Sequence, residues 1–199
     1  MVKYLSFILA TTILISCHNK TSPEQPGTIP ITNIEKKVTF FPVTAFLKGQ
    51  MLLLDSIQLA PMRINTIHDQ SDSTWMKREE LRPALKDFIS SEINEFNLTP
   101  FFKETSFIDQ TLNALTFTYS PYQRLPDSIS LRHWDVYVNP ETGKVTKVYI
   151  VKQVTDKGEK HTLQLIWQTN KWAKITTIWN KSNGGDSLLK ADKIIWNFE

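Results

Sequence analysis

The sequence predicts an α+β domain in which two helices pack on one face of a curved, mainly antiparallel meander sheet of about six to eight strands. Three observations carry that expectation. Two segments, near residues 41–57 and 80–96, repeat apolar residues at helical spacing. Everything beyond residue 110 is a succession of short runs rich in β-branched and aromatic residues. The connections between those runs are brief and dense in Asn, Asp, Gly and Pro, which favours antiparallel neighbours over crossovers.

The first helix opens at Phe41-Pro42, because proline is tolerated where the first helical N–H has no partner. Phe46, Leu47, Met51, Leu54 and Ile57 then form a wide apolar face. Met62 to His68 alternates as a strand does. Asp69-Gln70-Ser71-Asp72 reads as a turn into a short strand at Thr74–Met76. The second helix is expected to run from about Glu80 to Phe96 on the stripe Leu81, Leu85, Phe88, Ile89, Ile93 and Phe96, with Pro83 in its first turn and Asn97 and Pro100 ending it.

Six strands follow: Thr111–Tyr119, His133–Val138, Lys144–Lys152, Lys160–Gln168, Trp172–Asn180 and Lys190–Phe198. Asn139-Pro140-Glu141-Thr142-Gly143-Lys144 is the best-marked turn between them, and Asp156-Lys157-Gly158, Thr169-Asn170-Lys171 and Asn183-Gly184-Gly185-Asp186 mark three more. The hairpin from Trp134 to Val145 resembles the strand, NPxTG, strand unit of many small periplasmic modules, a likeness that implies no activity.

The N-terminal residues belong to a different class. Lys3 makes a short positive region, and Tyr4 to Ile15 is an almost uncharged apolar run. Twelve such residues cover roughly 18 Å as a helix, short of the ~30 Å hydrocarbon layer, so the run reads as a signal-peptide core rather than a membrane span. Leu14-Ile15-Ser16-Cys17 resembles the lipobox of bacterial lipoproteins. That resemblance implies cleavage between Ser16 and Cys17, diacylglyceryl transfer to the Cys17 sulfur, and acylation of the freed amine. Sulfur suits the role because its thiolate is a strong nucleophile, and two or three acyl chains hold where one is marginal. No Asp follows Cys17, and His18-Asn19-Lys20 lacks an acidic cluster. Read against the sorting signals of such lipoproteins, this implies an outer-membrane protein facing the periplasm.

The chain therefore divides into a signal peptide (1–16), a lipidated Cys17 with a flexible Pro-containing tether (17–37) and one domain (38–199). The tether spans at most ~60 Å. Removing residues 1–16 takes Lys3 away, so the mature chain carries 22 Lys and Arg against 20 Asp and Glu, a net charge of +2. So small an excess gives no broad basic field for nucleic acid, nor a charge-based reason to lie flat on an anionic membrane. With Cys17 lipidated, no cysteine remains for a disulfide or a thiolate zinc site.

Catalytic chemistry leaves no pattern. There is no HExxH, no His pair at helical spacing, no Gly-rich phosphate loop and no GxSxG elbow. No catalytic residue, metal ligand or cofactor is assigned. His133 and Asp135 share a strand face, as a solvent-facing polar pair opposite Trp134, Val136 and Val138. The carboxylates Glu79, Glu80, Asp87, Glu92 and Glu95 read as the solvated side of the second helix.

Binding leaves more. Five of the six Trp lie in the last 66 residues. Trp172 and Trp179, seven apart, point to opposite faces of one strand, so one of them lies away from the helices, where it could meet a sugar ring or an apolar ligand. Asp followed by Ser occurs at Ser56, Ser73, Ser128 and Ser187. Each triplet resembles the O-glycosylation signal of Bacteroidota envelope proteins, and Asp72, Asp127 and Asp186 fall in expected turns.

These readings point to a lipid-anchored, non-enzymatic envelope domain that binds a protein or envelope component. An alternative is a carrier of an apolar ligand or lipid, since helices filling a curved sheet resemble the half-barrels of lipid chaperones. It requires an apolar cavity of several hundred Å³. A third reading, a glycan-binding module, requires two exposed Trp on one face.

Overall fold

Nine strands among the described residues form one antiparallel sheet, and the chain order within it follows from the turns. In the computed structural model, residues 40–98, 100–181 and 185–197 are described, all within the compact unit Val38–Glu199. The signal peptide, Ser16, Cys17, the tether and most of the Asn183-Gly184 turn lie outside them.

The chain begins with helix α1 (Val43–Ser56) and continues into the hairpin β1 (Met62–Ile67) and β2 (Gln70–Trp75). Helix α2 (Arg78–Ala84) follows, then a 3-10 turn at Lys86–Phe88 and a single helical turn, α3 (Glu95–Leu98). The meander is β3 (Phe102–Asp109), β4 (Ala114–Pro121), β5 (Leu131–Val138), β6 (Val145–Asp156), β7 (Glu159–Gln168), β8 (Trp172–Asn180) and β9 (Asp186–Ile195). Strand β9 then pairs with β1, giving the order β2-β1-β9-β8-β7-β6-β5-β4-β3. The sheet is not closed: β2 and β3 are its two edges.

Three sequence expectations change. The strand count is nine rather than six to eight, because β3 was not expected. The expected four-residue turn at Asp69–Asp72 is only two residues long. His68 (φ 46°) and Asp69 (φ 64°) both take positive φ, the geometry that suits strand twist, so Gln70 to Trp75 is already strand. All six β2 residues are exposed, so no burial pattern marks them.

The second helix is broken rather than continuous from 80 to 96. Its apolar residues are buried as expected, with Leu81, Leu85, Phe88 and Ile93 each at most 2% exposed. Its backbone, however, is claimed from elsewhere in the chain. The Lys152 ammonium, arriving from β6, donates to the Asp87 carbonyl and to Ser90 Oγ (3.0 Å). The Thr44 hydroxyl, arriving from α1, donates to the Ser91 carbonyl (3.1 Å) and accepts from the Ile93 N–H (2.8 Å). Carbonyls and amides used in this way are lost to a helical ladder, so the α-helix that ends at Ala84 does not resume beyond the 3-10 turn.

The core lies between the helices and one sheet face, here the inner face. Trp134 is fully buried and stacks on Tyr119 (4.5 Å, 9°), with Phe102 and Phe40 against its edges (4.9 and 6.0 Å). The Phe41 N–H donates to Tyr119 Oη (3.1 Å), which ties the entrance of α1 to the sheet. Trp167 holds the 3-10 turn through Phe88 (5.4 Å). Beneath α1, Val43 and Leu47 meet Val136, Val148, Ile150 and Leu165, all 0% exposed, so this space is filled with side chains.

Lys152 is 1% exposed and faces this core. Burial lowers its pKa from 10.5 to about 8, against the opposing pull of Asp87. Below pH 8 the group is charged in both the folded and unfolded chain, and the cost of burying it is fully present. Between about pH 8 and pH 10 the unfolded chain still holds the proton that the folded chain has lost, so stability rises with pH. Above pH 10 the sign reverses, because burial raises the pKa of Tyr119 and that of Tyr137, the latter to about 12, and the unfolded chain loses those protons first. Urea unfolding as a function of pH is thus expected to show a rise of about 2–3 kcal/mol from pH 8 to pH 10. Most of the rise is lost in Lys152→Met, what remains coming from Lys147, whose pKa burial also lowers. A wild-type profile flat over that window would contradict the account.

Candidate functional site

Strand pairing brings together residues that the sequence keeps far apart. Arg63 on β1 lies across from Ile194 of β9, and Asp192 is two residues further along the same inner face. The Arg63 guanidinium donates to Asp192 Oδ1 from Nε (3.1 Å) and from Nη2 (2.9 Å). Lys190, on the same face of β9, places its ammonium 3.6 Å from Asp192 Oδ2. The carboxylate is nearly buried at 8% exposure, while Arg63 and Lys190 remain 38% and 46% exposed. One buried anion therefore anchors two half-exposed cations, and the trio keeps a net positive charge with unused N–H donors.

These three residues form the floor of a groove of about 660 Å³ between the sheet and α2. The opposite wall carries Glu79, Glu80, Lys86 and Asp87, and Trp75 and Met76 form the rim. The wall is acidic because α2 has its carboxylates in the first turn, where they favour the positive end of the helix. Glu80 Oε2 also accepts from the Lys77 N–H (2.7 Å), which fixes where α2 begins. The groove thus sets a cationic floor against an acidic wall, an arrangement for holding a ligand that bears both signs. The sequence had suggested a merely solvated face for these carboxylates. Lys190 and Asp192 at i, i+2 were the available signal, but nothing in the sequence indicated Arg63 as their partner.

A second recess of about 320 Å³ is apolar and lies between the end of α1 and the sheet, lined by Leu53, Leu54, Ile57, Leu59, Trp167 and Trp196.

The residues singled out from the sequence are scattered. Trp172 lies on the outer face, away from the helices, with Lys193 Nζ 4.8 Å from its ring. Trp179 is on the inner face opposite His161, with Lys181 Nζ at 5.0 Å. They point to opposite faces, as alternation requires, and build no common site. His133 and Asp135 do meet, with Nε2 and Oδ2 3.0 Å apart. They are not the solvent-facing pair expected. Asp135 is 8% exposed, accepts from Thr118 Oγ1 (2.7 Å) and lies between Tyr137 and Tyr149, which shield it. Among the described residues no group of three His, Cys, Asp or Glu could hold a metal ion.

Of the four Asp-Ser serines, only Ser128 is in an exposed turn, closed by the Ile129 N–H to the Pro126 carbonyl (3.0 Å). Ser56 ends α1 and donates to the Leu53 carbonyl (2.8 Å). Ser73 is on the exposed edge strand β2, and Ser187 is half-buried in β9. Asp72 and Asp186 are accordingly strand residues rather than turn residues, because both hairpins turn more tightly or earlier than the sequence suggested.

The floor trio predicts a charge effect on stability. Asp192→Asn leaves Arg63 and Lys190 facing each other without a counter-ion. The loss is about 1–2 kcal/mol, kept small by the exposure of the two cations, and it is partly restored by high salt. Urea unfolding at two ionic strengths measures it, and equal stabilities of wild type and variant at low salt would refute the arrangement. No protein-family model, no curated protein and no solved structure matches this chain.

Proposed function

We propose that the chain is a lipid-anchored lipoprotein of the cell envelope, held in the outer membrane facing the periplasm. Its domain is a non-enzymatic binding module, with the groove between α2 and strands β1, β9 and β8 as its ligand site. The anchor rests on Leu14-Ile15-Ser16-Cys17 and the preceding apolar run. No described helix is long and apolar enough to cross a membrane, so the lipid has to do the holding in this reading.

The observation that carries the binding reading is the Asp192-anchored pair of cations opposite the acidic wall of α2. Concave sites of this size with a few convergent polar groups are where ligands bind. The mixed charge favours an extended peptide segment of a partner protein that carries both acidic and basic side chains, over a lipid or a nucleic acid.

The apolar recess beside Trp167 and Trp196 supports a carrier reading. Its ~320 Å³ is near the lower end of the range for ligand pockets, and the space under α1 is filled, so a short acyl segment is the largest cargo it favours.

Two experiments test the proposal. In cells fed labelled palmitate, the protein is expected to incorporate label, and Cys17→Ser to lose it and move to the soluble fraction. Label retained by Cys17→Ser would refute the anchor. For the groove, the lipidated protein is purified from its native envelope beside a floor-reversed Arg63→Glu/Lys190→Glu variant. A partner retained by the wild type is expected to be missing from the variant. The same partner at the same yield on both would refute the groove as its site.

A further inference from the structure

On strands β8 and β9 the face of the sheet opposite the helices carries a locally unbalanced charge. Lys174 on β8 and Lys193 on β9 are directly paired across the strands, with both side chains on the outer face. Like charges in that position repel at Cβ separations of about 5 Å. Their outward-facing neighbours on the adjoining strands are Ile166 and Ile64, and no carboxylate on β7, β8, β9 or β1 faces them among the described residues. Lys193 instead rests over the Trp172 ring at 4.8 Å.

The aromatic residues of this face have an order of their own. Following the register from strand to strand, Tyr137, Lys147, Trp172 and Trp75 fall in one row across the sheet. Three inter-strand steps, roughly 14 Å, separate Tyr137 from Trp172 and three more separate Trp172 from Trp75, and the exposed Phe107 stands in the same row two steps, roughly 10 Å, beyond Tyr137. Lysines stand in or beside the row, with Lys147 3.7 Å from the centroid of Tyr137 and Lys193 beside Trp172. Trp75 is 68% exposed, whereas Ile64, Ile166 and Ile195 are only partly exposed and stay flush with the surface.

We propose that this outer face binds a linear acidic polysaccharide, one built from uronic-acid sugars, lying across the strands. Sugar rings would stack on Tyr137, Trp172 and Trp75, and carboxylates would neutralise Lys174 and Lys193, whereas Lys147 already has Asp109 and Asp135 near it. A line of aromatics running across the strands matches an extended polymer of rings. A lipid surface would be better served by protruding aliphatic side chains, and those beside the row, Ile64, Ile166 and Ile195, are only partly exposed, Leu188 (44%) lying away from it near the start of β9. The proposed site lies on the side of the sheet opposite the groove's floor and shares with the groove only Trp75, which stands on its rim.

The test uses the full lipidated protein in neutral detergent micelles, run through native gels containing polygalacturonate or, as the uncharged comparison, dextran. Retardation by polygalacturonate is expected, weakening with added salt and absent with dextran. Lys174→Gln/Lys193→Gln is expected to weaken it about tenfold, and Trp172→Ala to weaken it comparably. The double substitution removes a repulsion, so its melting temperature must not fall, and this keeps it informative if Trp172→Ala fails to fold. Absence of retardation by polygalacturonate, equal retardation by dextran, or unchanged retardation of the double variant would each overturn the proposal. So would a double variant that loses only a preference for phosphatidylglycerol over phosphatidylcholine vesicles, since the face would then dock lipid.

Discussion

The Lys152 ammonium under the interrupted second helix is the contact on which the rest of the arrangement depends. A cation buried to 1% exposure has to find oxygen acceptors, and it takes them from the Asp87 carbonyl and Ser90 Oγ. Meeting that demand keeps the chain from resuming an α-helix between the 3-10 turn and α3. A continuous helix from 80 to 96 would lie along the sheet as α1 does. The short α2 instead leaves open the space over β1, β9 and β8, and the groove occupies that space.

The two faces of the sheet then acquire different roles. The inner face is mostly apolar and filled, but its β1–β9 end carries Arg63, Lys190 and Asp192, where no α1 residue covers them. Among the described residues the outer face has no helix against it, and its aromatics and lysines stand in rows because register aligns residues from every strand. A net charge of only +3 over the chain conceals this asymmetry. Averaged over the chain it argues against any electrostatic role, whereas on the outer face of β8 and β9 two ammonium groups face each other without an acid.

Much of the fold was legible in the sequence, for local reasons. Helix α1 follows from its apolar spacing and Pro42, and strands β4 to β9 from β-branched runs closed by turn residues. Asn139 Oδ1 accepting from the Glu141 and Thr142 N–H groups, with Gly143 at φ +66°, is the turn chemistry the residues announced. What was not legible depends on partners distant in the chain. The helix break needs Thr44 and Lys152, 47 and 62 residues from the groups they bind. Strand β3 is mostly exposed and edge-lying, so its Lys103-Glu104-Thr105-Ser106 shows no burial alternation. The groove floor is created by pairing Arg63 with a strand 129 residues later. The opposite orientations of Trp172 and Trp179, by contrast, needed only the period of a strand.

The most direct test of this account is an NMR titration of the Lys152 side-chain ammonium in the folded protein. The account predicts a midpoint near pH 8, with chemical-shift changes reaching the Asp87 and Ser90 amides in step. A midpoint at or above the ordinary 10.5 would mean that the ammonium is not buried beneath the helix break, and the explanation of that break and of the groove beside it would fail.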